Sequence, residues 1–99
     1  MDKVNPTGTG NFSFNSGTAT NNSVAMGQNT NASGFYSHAE GYHTNASGNW
    51  SHAEGEGTTA SGIASHAEGG GTNATGDWSH AEGCNAAGSD QKTTASGVG

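Results

Sequence analysis

The pentapeptide Ser-His-Ala-Glu-Gly begins at Ser37, Ser51, Ser65 and Ser79, and successive copies are always fourteen residues apart. A fixed period of that length means that one small structural unit is stacked on copies of itself. In this frame the coils are SVAMGQNTNASGFY (23–36), SHAEGYHTNASGNW (37–50), SHAEGEGTTASGIA (51–64) and SHAEGGGTNATGDW (65–78), and SHAEGCN opens a fifth at Ser79. Each coil divides into two heptads of the form Ser/Thr-x-Ala-x-Gly-x-x, for example Ser37, Ala39, Gly41 and then Thr44, Ala46, Gly48. Five residues alternating with period two, followed by two turn residues, predict a strand-turn-strand-turn unit. A coiled coil is excluded, because glycine recurs twice per coil and the periodic sites hold Ala, Ser and Thr instead of Leu. The expected fold is all-β, a parallel β-solenoid whose rungs lie about 4.8 Å apart.

Composition agrees with a thin roll. The 99 residues are 28% hydrophobic and 18 are glycine, too little for a Leu/Ile/Phe core. One proline and 10% charged residues also fit a disordered chain poorly. Strand parity puts Ser, Ala and Gly of the first strand, and Thr, Ala and Gly of the second, on inner faces small enough to meet. It sends His38 and Glu40 outward from the first strand, and Asn45 and Ser47 outward from the second. In the first coil the His and Glu positions hold Val24 and Met26. Apolar residues on an outer face ask for a partner, so this face is expected to be buried against other chains.

A net charge of −6, with Lys3 and Lys92 the only basic residues, excludes a phosphate-binding surface and with it nucleic acid as a partner. No apolar run approaches a membrane span, so no membrane insertion is expected, and Met1-Asp2-Lys3-Val4 does not open a secretory signal. The expectation is that an export signal lies outside this stretch or that another route delivers the protein. Cys84, a lone cysteine, cannot form an intrachain disulfide.

SVAMGQNTNASG resembles the head repeat of YadA-like trimeric autotransporter adhesins, and the SHAEG variant resembles repeats of that lineage in Gram-positive and phage fibre proteins; the resemblance covers about residues 16–83. It implies a left-handed parallel β-roll, assembled as a homotrimer, with the positions of Val24 and Met26 turned toward neighbouring chains. The expected function is a non-enzymatic rigid head or stalk on a cell surface or virion appendage, with a host-surface or glycan receptor as a possible partner. The chain departs from the usual aliphatic pair at His38/Glu40, His52/Glu54, His66/Glu68 and His80/Glu82. Together with Val24 and Met26 these form the expected trimer interface.

Three histidines and three glutamates per rung near one axis must be paired and hydrogen-bonded. Interchain His-Glu pairs, setting register and oligomer state, are the leading expectation. If pairing raises the histidine pKa and depresses the glutamate pKa, stability peaks between about pH 4.3 and 6.5. The alternative is a ligand-binding module with a transition metal held on the axis by His38, His52, His66 and His80. Otherwise no cofactor is expected. A Ser37-His38-Glu40 relay is disfavoured, because adjacent strand residues point to opposite faces.

The corners Phe35-Tyr36, Asn49-Trp50, Ile63-Ala64 and Asp77-Trp78 make Tyr36, Trp50 and Trp78 a candidate glycan corner, with a sealed roll edge or chain seam as the other reading. His43 and Glu56 read as solvated turn residues. GGGTNATGD (69–77) resembles a glycine/aspartate calcium repeat but occurs once. Asn31/Ser33, Asn45/Ser47, Thr59/Ser61 and Asn73/Thr75 form a polar outer face suited to solvent, with ice binding as a minor alternative. Residues 1–22 read as a cap, 23–83 as the regular roll and 84–99 as a degenerate repeat. Thr93-Thr94-Ala95-Ser96-Gly97 resumes the pattern, as if the roll continued or had been truncated.

Overall fold

Parallel stacking at a spacing of one coil accounts for nearly every strand of the molecule. The computed structural model describes residues 12–14, 17–84 and 93–99, with the backbone alone at 12–14. The N-terminal cap outside 12–14 and 17–22, and the pattern break at 85–92, fall outside the described residues. The first strands of the coils are β1 (Phe12–Phe14), β3 (Val24–Gln28), β5 (His38–Tyr42), β7 (His52–Glu56), β9 (His66–Gly70) and β11 (His80–Cys84). They form one six-stranded parallel sheet in that order. The second strands are β2 (Thr18–Ala19), β4 (Asn31–Ala32), β6 (Asn45–Ala46), β8 (Thr59–Ala60), β10 (Thr72–Ala74) and β12 (Thr93–Ala95), and they form the other. Each residue of the regular coils sits beside the residue fourteen positions on, so that His38 pairs with His52, Ala39 with Ala53 and Glu40 with Glu54. The resumed repeat returns to the same column, with Thr72 beside Thr93 and Ala74 beside Ala95. The molecule is thus an all-β solenoid of parallel strands with a fourteen-residue coil.

The interior is made of methyl groups and hydroxyls. Nine alanines, Ala25 through Ala81 at every seventh position, are at most 2% exposed, and beside them lie Ser23, Ser37, Ser51, Ser65 and Ser79 and Thr30, Thr44, Thr58 and Thr72. No larger apolar side chain is buried among the described residues. The serines help close the corners: Ser37 Oγ donates to the Gly34 carbonyl (2.8 Å), Ser65 to Gly62 (2.7 Å) and Ser79 to Gly76 (2.6 Å). These bonds satisfy buried hydroxyls and carbonyls together. The corners are also bonded from rung to rung, for example Trp50 N–H to Phe35 O (2.8 Å) and Trp78 N–H to Ile63 O (2.7 Å).

Two details depart from the heptad symmetry of the sequence. The second strands have two or three residues instead of five, since the chain turns directly after Ala46 and Ala60. Both Ser47 N–H and Gly48 N–H then donate to the Ala60 carbonyl, which ends the ladder. The first-strand glycines are also not inside the roll: Gly41, Gly55 and Gly69 are exposed. At Gly55 the backbone has φ 106°, so inward-outward alternation stops after Glu54. A Cβ there would stand 2.0 Å from the Gly69 carbonyl oxygen. The second-strand glycines Gly34, Gly48, Gly62 and Gly76 are buried as the parity requires.

Gly55→Ala therefore combines a left-handed backbone with a backbone collision, whereas Gly57→Ala, at φ 65° with nothing nearer than 3.9 Å, meets only the former. Urea denaturation should show a loss of about 1–2 kcal/mol for Gly57→Ala and a clearly larger loss for Gly55→Ala.

Candidate functional site

Parity and register together build one column of imidazoles beside one column of carboxylates on the outer face of β5, β7, β9 and β11. The rings of His38, His52, His66 and His80 stack with centroids 4.6, 4.7 and 4.7 Å apart and planes within 9°. Each glutamate reaches between its own histidine and that of the next rung. Glu40 lies 4.0 Å from His38 and 3.5 Å from His52, Glu54 lies 3.7 Å from His52 and 3.3 Å from His66, and Glu68 lies 3.8 Å from His66 and 3.2 Å from His80. The shorter contact is always to the next rung, and at His66 and His80 it is a hydrogen bond. Every contact is made by Nε2, so imidazole nitrogen and carboxylate oxygen alternate along the column.

The sequence reading placed these pairs between chains, yet each of Glu40, Glu54 and Glu68 already has histidine neighbours within its own chain. A fourteen-residue register necessarily supplies them, because the next rung's histidine is then a diagonal neighbour of the glutamate. Val24 and Met26 head the two columns, beside His38 and Glu40 respectively. Val24 is half-buried, and Met26 is 38% exposed. Glu82 ends the carboxylate row and is exposed.

Burial, and then repulsion by His52, lower the His38 pKa despite the attraction of Glu40 and Glu54. This is opposite to the rise expected from pairing alone. For Glu40, burial pushes the pKa up, but a hydrogen bond with the Glu54 carboxyl and the neighbouring His38 and His52 outweigh it, so the net direction is down.

Beside the glutamate row runs an open groove of about 710 Å³, walled by Glu40, Glu54, Glu68 and Glu82 and floored by the glycine that follows each. The sequence reading missed it by placing those glycines inside. Its only signal was glycine after every glutamate.

Tyr36, Trp50 and Trp78 occupy the corner as expected and are 57, 59 and 60% exposed. All three have φ near +60°, an unusual backbone for aromatic residues that composition did not disclose. Tyr36 stacks on Trp50 with centroids 6.4 Å apart. Ala64 takes the equivalent corner between Trp50 and Trp78. Asn49 Oδ1 and Asp77 Oδ1 accept from the Phe35 and Ile63 amides (3.0 and 2.9 Å), so Asp77, the one acid of the calcium-like segment, is engaged in a turn. Ser37 Oγ is directed to Gly34 inside the roll, on the face opposite His38. The exposed His43 packs edge-on against Tyr42 (4.3 Å) and lies 3.4 Å from Asn29 Nδ2.

No protein-family model, curated protein or solved structure matches this chain. No helix among the described residues is long and apolar enough to cross a membrane.

The pKa directions fix a sign for pH dependence. A histidine depressed from its ordinary 6.5 binds its proton less readily in the folded state, so acidification below about 6.5 favours unfolding. A glutamate depressed from 4.5 gives stability that is present above that value and is lost as pH falls through its folded pKa. Both groups act in the same direction, which replaces the expected maximum between about 4.3 and 6.5 with a decline on acidification. The melting temperature should be lower at about pH 5 than at pH 8 and lower again at about pH 3, with His38→Gln reducing the first drop. A higher melting temperature at about pH 5 than at pH 8 would contradict these directions.

Proposed function

We propose that this chain is a non-enzymatic structural segment of a trimeric surface or phage fibre, a rigid left-handed β-roll that spaces or presents binding regions. The observation that carries this reading is the outer face of the first-strand sheet. There Val24, His38, His52, His66, Glu40, Glu54 and Glu68 stand partly buried beside the exposed Met26 on a slab only 12 Å thick, whose interior holds nothing larger than threonine among the described residues. Alanine methyls bury little apolar area per residue, so a second source of stabilisation is needed, and association through this face supplies it. The intrachain His-Glu contacts suit such a role. They set each carboxylate between two imidazoles of its own chain, so the acidic row does not meet a neighbouring chain as bare charge. The similarity of the repeats to trimeric adhesin heads supports the threefold state, the hand of the roll and a place on a cell surface or virion.

Native mass spectrometry and sedimentation should give a trimer, and a folded monomer at micromolar concentration would overturn the proposal. The His38→Val/Glu40→Ile double variant, which extends the Val24/Met26 pattern by one rung, should remain trimeric and melt at least as high. Glu54→Lys should instead weaken assembly by removing the carboxylate that faces His52 and His66 and putting an ammonium group in its place.

A second reading is favoured by the exposed aromatic corner: a glycan-binding edge at Tyr36, Trp50 and Trp78, where rings held outward offer faces for sugar stacking. Glycan-array binding that is abolished by Trp50→Ala/Trp78→Ala, with the melting temperature unchanged, is its expected outcome.

A further inference from the structure

The His/Glu column satisfies its carboxylates better than its imidazoles. Nε2 of His38 and of His52 are shielded from solvent and make no hydrogen bond, although carboxylate oxygens stand 3.5 to 4.0 Å away. Three groups recur along the column, His38/Glu40/His52, His52/Glu54/His66 and His66/Glu68/His80, and in each the three ligand atoms lie within 4.8 Å of one another. We propose that the column is a row of divalent transition-metal sites, each formed within one chain by two stacked histidines and the glutamate between them, and that the four histidines hold two ions per chain.

The geometry is close to what such an ion requires. Metal-ligand distances of about 2.0–2.2 Å put the ligand atoms of a tetrahedral site roughly 3.3 Å apart. The nitrogen-oxygen distances, 3.2 to 4.0 Å, are already near this, so the main adjustment is a tilt of the two rings toward each other. Side chains 31–39% exposed, and 50% at His80, have room to tilt. Two imidazoles and one carboxylate select zinc, nickel or copper over calcium or magnesium, whose shells are built from oxygen. A fourth position stays open to water or another group.

The count follows from the sharing of ligands. Each Nε2 has one lone pair, and His52 and His66 each belong to two of the three groups. An ion at Glu54 takes both and leaves neither outer group with two histidines. Ions at Glu40 and Glu68 use every histidine once and stand two rungs, about 9.5 Å, apart, which halves their repulsion relative to adjacent rungs. The filled state is therefore His38/Glu40/His52 with His66/Glu68/His80, and Glu54 carries no ion. All ligands come from one chain, so the proposal does not depend on the trimeric reading.

The test is zinc titration of the full chain by calorimetry, with bound metal measured by elemental analysis. Because Cys84 is free and exposed, all proteins carry Cys84→Ser. The expected result is two zinc ions per chain, whether the protein sediments as monomer or trimer, with a rise in melting temperature that EDTA reverses. Cobalt should give the strong visible absorption of a four-coordinate site. His52→Gln should lower the count to one, and His52→Gln/His66→Gln should weaken binding at least 10-fold. Glu54→Gln should keep two, while Glu68→Gln should weaken one; these near-isosteric changes serve if a histidine variant fails to fold. A count other than two in the parent, undiminished binding in the folded His52→Gln/His66→Gln protein, or equal effects of Glu54→Gln and Glu68→Gln would overturn the proposal.

Discussion

Parallel pairing of each residue with its copy fourteen positions on is the constraint from which the other features follow. It puts like beside like, which is harmless for the alanines and serines of the interior and demanding for anything charged. A column of histidines alone would repel on protonation, and a column of glutamates would repel at neutral pH. Placing the two columns side by side, with each carboxylate reaching diagonally to the next rung, turns two unfavourable rows into one alternating row. The same pairing lets the corners bond from rung to rung, so backbone hydrogen bonds stabilise a molecule with almost no apolar core.

That scarcity explains the choice of interior residues. Two sheets joined by two-residue corners approach so closely that only methyls and hydroxyls fit between them, and the Ser37, Ser65 and Ser79 hydroxyls donate a second hydrogen bond to the corner carbonyl that already accepts the same serine's N–H. Stability is spread along the axis and not concentrated in a few large side chains. Outer faces then matter more than in a globular domain, because that is where large side chains are found.

Much of this was legible in the residues. The period gave the rung and the parallel register, and parity assigned Ala39 to the inside and His38 and Glu40 to the outside. What parity could not show is where alternation stops: Gly41 and Gly55 look like interior residues until their positive φ moves them to the surface and opens the groove beside the glutamates. The seven-residue half-repeat likewise hid the inequality of the two strands, since hydrogen bonding, unlike composition, ends at Ala46. The direction of the His38 shift was also invisible, because it depends on a burial that only packing reveals. Pairing partners were placed on other chains because the outer face was read as an interface between chains, although the register of the roll also makes Glu40 and His52 neighbours within one chain.

The fixed coil has a consequence for how such a molecule changes in length. Removing or copying any fourteen consecutive residues of the regular roll leaves every column in phase and shortens or extends the axis by one rung. Where the unit is a SHAEG coil, it also removes or adds one imidazole and one carboxylate of the two columns together, so their proportion there is conserved. Removing thirteen would put His where Ala belongs and Glu where Gly belongs. The molecule behaves as a ruler with a single graduation, on which length can vary without altering the chemistry of the face.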